Sequence, residues 1–212
     1  MSVVLSGSRS TASMVVHWLL VELEVPHTLQ LLDSERHEHK SPAYLQLNPA
    51  GVVPALVTNG EVVTEAAAIV MHLADLYSQA GLAPALGTIA RAQYYRWTLF
   101  MANSLQPAYR AWFYPAEPAG EGSEDAVKQQ ARCQPATAWA GVTDHLASSG
   151  RPYLLGEQLS AADFMLTMLT RWSRDMPTPA HALPALQAHA MLMKVRPSFK
   201  QVYAREGLTD WT

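Results

Sequence analysis

NPAGVVPAL, residues 48–56, sets Pro54 inside an apolar run of Val52, Val53, Ala55, Leu56 and Val57. The run reads as a buried strand, and a proline removes a ladder donor, so it belongs at an edge, a bulge or a first position. By itself Pro54 opens an edge strand after the Ala50-Gly51 turn. Its surroundings decide whether it does more. Downstream, Asn59-Gly60 joins two short strand candidates, residues 55–58 and 61–64, and is a strong hairpin signal. Residues 65–77 follow as a helix, with Ile69, Leu73, Leu76 and Tyr77 on its buried side. Upstream, residues 2–5 read as a strand and 6–9 as a turn. Residues 10–24 read as a helix with Val16, Leu20 and Leu23 on one stripe beside Val15, Trp18 and Leu19, and 27–32 as a second strand, which makes a βαβ opening. Ser41 and Pro42 are the cap and first residue of a short helix in SPAYLQL, residues 41–47.

The remainder of the chain has a different texture. SQAGLAPALGT, residues 78–88, concentrates small residues, two glycines and a proline, and reads as a linker. Beyond it only helical stretches recur, over 89–104, 124–146, 161–173, 184–195 and 197–205. Pro107 is expected to end the first of these and Pro135 to kink or break the second. The organisation is therefore an α/β domain over 1–78, a linker over 79–88 and an all-helical domain over 89–212.

Composition removes several function classes. With 49% apolar and 16% charged residues the 212-residue chain is that of a folded globular protein. A formal net charge of -3 without a basic run gives no nucleic-acid or anionic-membrane surface. No apolar run approaches the ~20 residues that span a bilayer, and MSVVLSGSRSTASM lacks the pattern of a signal peptide. The lone Cys133 forms no internal disulfide and no Cys/His metal spacing exists, which suits a reducing, cytoplasmic setting. A single cysteine within a helical stretch is read as a packing residue, not a catalytic one.

Four stretches, HKSPAYLQLNPAGVVPAL (39–56), VVTEAAAIVMHLAD (62–75), LLGEQLSAADF (154–164) and SGSRSTAS (6–13), make the chain resemble a cytosolic glutathione transferase along its whole length. The resemblance implies a thioredoxin-like N-terminal domain followed by an all-α C-terminal domain. It implies a cis Pro54, with the main chain of Val53 turned toward a cleft to pair with the cysteinyl unit of glutathione like an added strand. Glu65 then faces the ligand's ammonium, and the N–H of Ala66, at a helix N-terminus, meets the γ-glutamyl carboxylate. His39 and Lys40 match positions that bind the glycyl carboxylate, although DSERHEHK (33–40) also reads as a solvated loop. Ser10 is the matched donor to the thiolate, with N-capping as its plainer role and Ser8, Thr11 and Ser13 close by. Tyr109 and Phe113 are assigned to the wall of the electrophile site, where aromatic residues at helical spacing are equally read as core.

The expected activity is conjugation of the glutathione thiolate to small apolar electrophiles. Glutathione is the co-substrate, with no metal, no further cofactor, no nucleic-acid or membrane partner, and a homodimeric assembly. Most relatives carry serine where this chain has Ala66, a departure that bears on carboxylate binding. A glutathione-dependent isomerase or reductase shares the fold, as does a non-catalytic binding protein. The reductase would need a first-helix cysteine that this chain lacks. The stretch Ser160-Ala-Ala-Asp163 matches the family's capped, buried helix start.

Overall fold

The structure, a computed structural model, describes residues 3–119 and 122–211, with the side chains of 133–136 outside the description. Two compact units emerge, one formed by residues 3–83 with 194–211 and the other by 84–193.

The first unit is built on a four-stranded mixed sheet in the order β2-β1-β3-β4. β1 (Val3–Gly7) pairs in parallel with β2 (Thr28–Leu31), and Leu5 lies opposite Leu29. On its other side β1 meets β3 (Ala55–Thr58) antiparallel, with Ser6 opposite Ala55. β3 and β4 (Glu61–Thr64) form the hairpin read from Asn59-Gly60, whose φ values of 51° and 83° fit a tight turn that demands positive φ. Helices α1 (Ser13–Glu22), α2 (Pro42–Leu47) and α3 (Ala66–Leu76) complete the thioredoxin-like order. Ser41 caps α2 by accepting the Tyr44 N–H at 3.3 Å, and Pro42 takes its first turn. α3 buries Ile69, Val70, Leu73 and Ala74, whereas Leu76, read as a core residue, is 49% exposed at the helix end.

α1 departs from the stripe predicted for it, because every residue from Ser13 to Val21 is buried. A helix buried on all sides needs cover on all sides. α3 and β1 pack against it. So does α10 (Pro197–Glu206), which returns from the far end of the sequence. Phe199 meets the Trp18 ring edge-on at 5.0 Å, the indole N–H donates to Ser198 Oγ at 2.8 Å, and Glu22 accepts from Arg196 and Ser198. The unit boundaries thus differ from the linear domains read in the sequence. Residues 194–211 group with the sheet because their aromatic and polar side chains complete the burial of α1.

The second unit is helical: α4 (Ile89–Phe100), α5 (Gln106–Phe113), α6 (Ala116–Ala119), α7 (Glu124–Ser149), α8 (Ala161–Trp172) and most of α9 (Pro184–Lys194). Pro107 does not stop the chain. A π-helical turn, Met101–Leu105, joins α4 to α5 and leaves Pro107 in a first turn, where its missing N–H is tolerated. Nor does Pro135 break α7, which is assigned as one 26-residue helix. The side chains of Cys133 and Pro135, and with them the packing role read for Cys133, lie outside the described residues. α8 is buried along its whole length. Asp163 anchors its start, accepting the Ser160 N–H and hydroxyl at 2.8 Å each, the Leu154 N–H at 2.9 Å and His189 Nε2 at 3.1 Å.

Candidate functional site

The strand directions bring the predicted residues of the first unit to one end of the sheet. β1 and β2 run parallel and finish there, so the loop carrying Ser10 and the segment carrying His39 and Lys40 both begin at that end. β3 runs the other way, so Val53 and Pro54 enter it from that same end, and β4 leaves there into Glu65 and Ala66. Residues spread over 57 positions of sequence converge because of pairing register alone.

The Val53–Pro54 peptide is cis. Its approach is held by three short-range contacts. Tyr44 Oη and Asn48 Nδ2 both donate to the Val52 carbonyl at 2.6 Å, and the Gly51 N–H closes onto the Asn48 carbonyl at 2.8 Å. Burial raises the Tyr44 hydroxyl pKa, against a smaller opposite effect of Asn48, so the phenol stays a donor. Gly51 has φ +61°, and a Cβ there would meet Lys40 Cδ and Nζ at 2.9 Å. Lys40 therefore lies against this turn, its ammonium 3.4 Å from the Ala50 carbonyl. Neither the N–H nor the C=O of Val53 has a partner among the described residues, and the strand ladder starts only at Ala55.

At the start of α3, Glu65 is exposed and adopts φ 68°, ψ 113°, outside even the left-handed helical well. A non-glycine residue held there costs about 1–3 kcal/mol, and such residues gather at functional sites. Its carboxylate makes no capping bond to the helix. The Ala66 N–H, the first of the helix, has no partner among the described residues, and its side chain is buried.

Ser10 also has positive φ, 62°, and is half-buried. It does not cap α1, since the helix starts at Ser13 with Ala12 before it, and positive φ keeps Ser10 out of the helical turn. The neighbouring hydroxyls serve the loop: Ser8 Oγ donates to the Leu32 carbonyl at 2.8 Å, while Thr11 and Ser13 donate to the Ser8 carbonyl at 2.7 and 2.9 Å. Ser13 Oγ also accepts the Ser8 N–H at 3.0 Å. His39 is half-buried in a 3-10 turn, its ring 5.9 Å from that of His37.

In the second unit Tyr109 is wholly buried, and burial raises its pKa. Its hydroxyl accepts the Trp139 indole N–H at 3.0 Å. Phe113 stacks on Tyr109 at 6.3 Å and remains 44% exposed, with Trp172 edge-on to both. Tyr109 thus sits in the core, and Phe113 carries the exposed face of this cluster. Among the described residues no cluster of His, Cys, Asp and Glu suits a metal ion, and no helix is long and apolar enough to cross a membrane. The sequence reading gave no role to Tyr44 and Asn48, although both lie in the 39–56 stretch, nor to Glu206, which lies far from it; Tyr44 and Asn48 hold the Val52 carbonyl and Glu206 the Ser10 N–H. Asn48 alone carried a signal, as an Asx residue before Pro49 and a glycine turn.

Residues 9–76 match the family model described as the N-terminal domain of glutathione S-transferase. Glutathione S-transferase GST-4.5 of Xanthomonas campestris pv. campestris is 32% identical over 188 residues, covering 87% of this chain and 89% of the relative. GstA of Escherichia coli O157:H7 is 26% identical over 204 residues, covering 95% and 96%. Among solved structures, a Sulfitobacter glutathione transferase homolog with bound glutathione superposes with a TM-score of 0.90 at 25% identity, over 98% of this chain and 99% of that one.

Proposed function

This chain belongs to the glutathione S-transferase family, and we propose that it binds glutathione at the sheet end described above and transfers its sulfur to small apolar electrophiles. The observation that carries the reading is the convergence there of an unpartnered Val53 main chain, a helix-starting Ala66 N–H and two strained residues, Ser10 and Glu65.

Each portion of the tripeptide has a counterpart. The N–H and C=O of Val53 would pair with the cysteinyl unit as one more strand segment. The Ala66 N–H, reinforced by the dipole of α3, would hold the γ-glutamyl carboxylate, and Glu65 would face the adjoining ammonium. Lys40, with His39 beside it, would take the glycyl carboxylate. The Ser10 hydroxyl would donate to the sulfur, favouring the thiolate. The thiol proton passes to solvent, the sulfur lone pair forms the C–S bond, and either a leaving group departs with its electrons or an activated double bond takes up a proton. A thiolate is nucleophile enough for this without a metal or further cofactor. Phe113, backed by Tyr109, is the proposed apolar contact for the electrophile. A homodimeric, cytoplasmic enzyme completes the proposal.

One observation favours a second reading. Ala66 supplies its N–H but no hydroxyl, so a protein that binds glutathione without turnover is the rival. Glutathione affinity chromatography followed by conjugation of a panel of activated aryl halides and enones separates them. Retention with turnover supports the transferase, retention alone the binding protein, and neither result leaves the glutathione site without support.

A further inference from the structure

Glu206 lies 196 positions beyond Ser10, in the last turn of α10, and its carboxylate is 1% exposed. Oε2 accepts the Ser10 N–H at 3.2 Å, and Oε1 lies 2.8 Å from Nδ1 of His17, a wholly buried residue of α1. His17 Nε2 is buried and has no hydrogen-bond partner among the described residues. With its proton on Nδ1, the ring donates to Glu206 and leaves a lone pair at Nε2, which is cheaper to bury unmatched than an N–H. The imidazole thereby fixes the direction of the carboxylate, and the second carboxylate oxygen is left for the loop.

Ser10 needs such a restraint. A side-chain-bearing residue at φ 62° persists when its surroundings over-determine it. The Ser8, Thr11 and Ser13 hydroxyls bind the loop to itself and to Leu32, whereas the Glu206 bond ties the Ser10 backbone to α10. We propose that Glu206, oriented by His17, is a positioning residue that holds Ser10 in its positive-φ conformation and so aims the hydroxyl at the glutathione sulfur. The inference rests on the reading of Ser10 as thiolate donor. Reach, not charge, is what Glu206 contributes, because a buried carboxylate near the sulfur would by charge alone disfavour a thiolate.

Reach and charge are separable. Glu206→Gln keeps the length and removes the charge, its one accepting oxygen serving the Ser10 N–H while its N–H meets the other tautomer of His17; Glu206→Asp keeps the charge and withdraws it by one methylene. The measurement is the pH titration of bound glutathione by thiolate absorbance, with glutathione affinity measured alongside, for the parent, Ser10→Ala, both Glu206 variants and each of them combined with Ser10→Ala. Ser10→Ala is expected to raise the thiol pKa by roughly one to two units. Glu206→Asp should reproduce at least half of that rise, neither double variant should add to Ser10→Ala, and Glu206→Gln should not raise it. A parental titration in Glu206→Asp beside a shifted Ser10→Ala overturns the positioning role and leaves Ser10 standing. An unshifted Ser10→Ala overturns the donor reading and this inference with it. A rise in Glu206→Gln that adds to that of Ser10→Ala in the double variant Ser10→Ala/Glu206→Gln does not pass through Ser10 and overturns the inference by itself, so that pair decides the matter even if Glu206→Asp does not fold.

Discussion

Two turns meet at the same end of the sheet and are held by opposite means. The turn over residues 48–54 is fixed from nearby: Tyr44 and Asn48, within eight positions, both donate to the Val52 carbonyl. The loop over residues 7–13 has a local web of hydroxyls, but its central residue, Ser10, is also tied to Glu206 from α10. A short-range turn can be written into a motif. A long-range restraint leaves no local trace, and what it holds is legible only once the chain is folded.

The largest effect that tests this contrast is at Gly7. A Cβ there would lie 2.4 Å from Ser13 Oγ and 2.5 Å from Ser13 Cβ, and Ser13 is buried with its hydroxyl bridging both polar groups of Ser8. Gly7→Ala should cost about 3 kcal/mol in chemical denaturation, the upper end for overpacking, and should lower conjugation beyond the loss of folded protein. Full activity in a stable variant would show that the loop tolerates displacement.

Next comes Asn48→Ala, which removes one of two donors to Val52 and the acceptor of the Ala50 N–H. A loss of about 2 kcal/mol of stability is expected, with weaker glutathione binding by calorimetry. Unchanged affinity would mean that Tyr44 holds the turn without help. Glu65→Gln should leave stability untouched and weaken glutathione binding roughly tenfold, corresponding to about 1.5 kcal/mol for a charge-assisted contact. Parental affinity in that variant would return Glu65 to a purely structural role.

The smallest effect belongs to the second loop's outer neighbour. The His27 ring meets His17 edge-on at 5.5 Å, and its Nδ1–H donates to the Val25 carbonyl at 2.7 Å. Burial lowers its pKa below the ordinary histidine value of 6.5, and the Arg205 charge pushes the same way, against the Val25 bond. The unfolded chain therefore takes up the proton first. Stability should decline as pH falls below about 6.5 and level off beneath the folded-state pKa. His27→Gln should flatten that decline slightly in pH-dependent melting, and an unchanged slope would assign it to other groups.

The same contrast explains what was legible in the sequence. Both hairpin strands were placed to the residue because Asn59-Gly60 fixes register, and the Ser41-Pro42 start of α2 because cap and proline act locally. The α/β and helical layers followed from periodicity. The start of α1 was missed by three residues, since positive φ at Ser10 depends on packing and not on helix propensity. Pro107 was misread because a π turn upstream absorbs it. The grouping of α10 with the sheet unit rests on Trp18, Glu22 and His17 meeting partners more than 170 positions away.

The most direct test of the central claim, that Val53 and Ala66 hold glutathione through their backbones, is a titration of the 15N-labelled protein with glutathione followed by amide NMR. The amides of Val53 and Ala66 should show the largest shifts, gain protection from exchange, and saturate at the concentration that gives half-maximal binding by calorimetry. Saturating shifts confined to other residues, such as those lining the groove of Pro26, His27, Gln201 and Arg205, with Val53 and Ala66 unmoved, would contradict it.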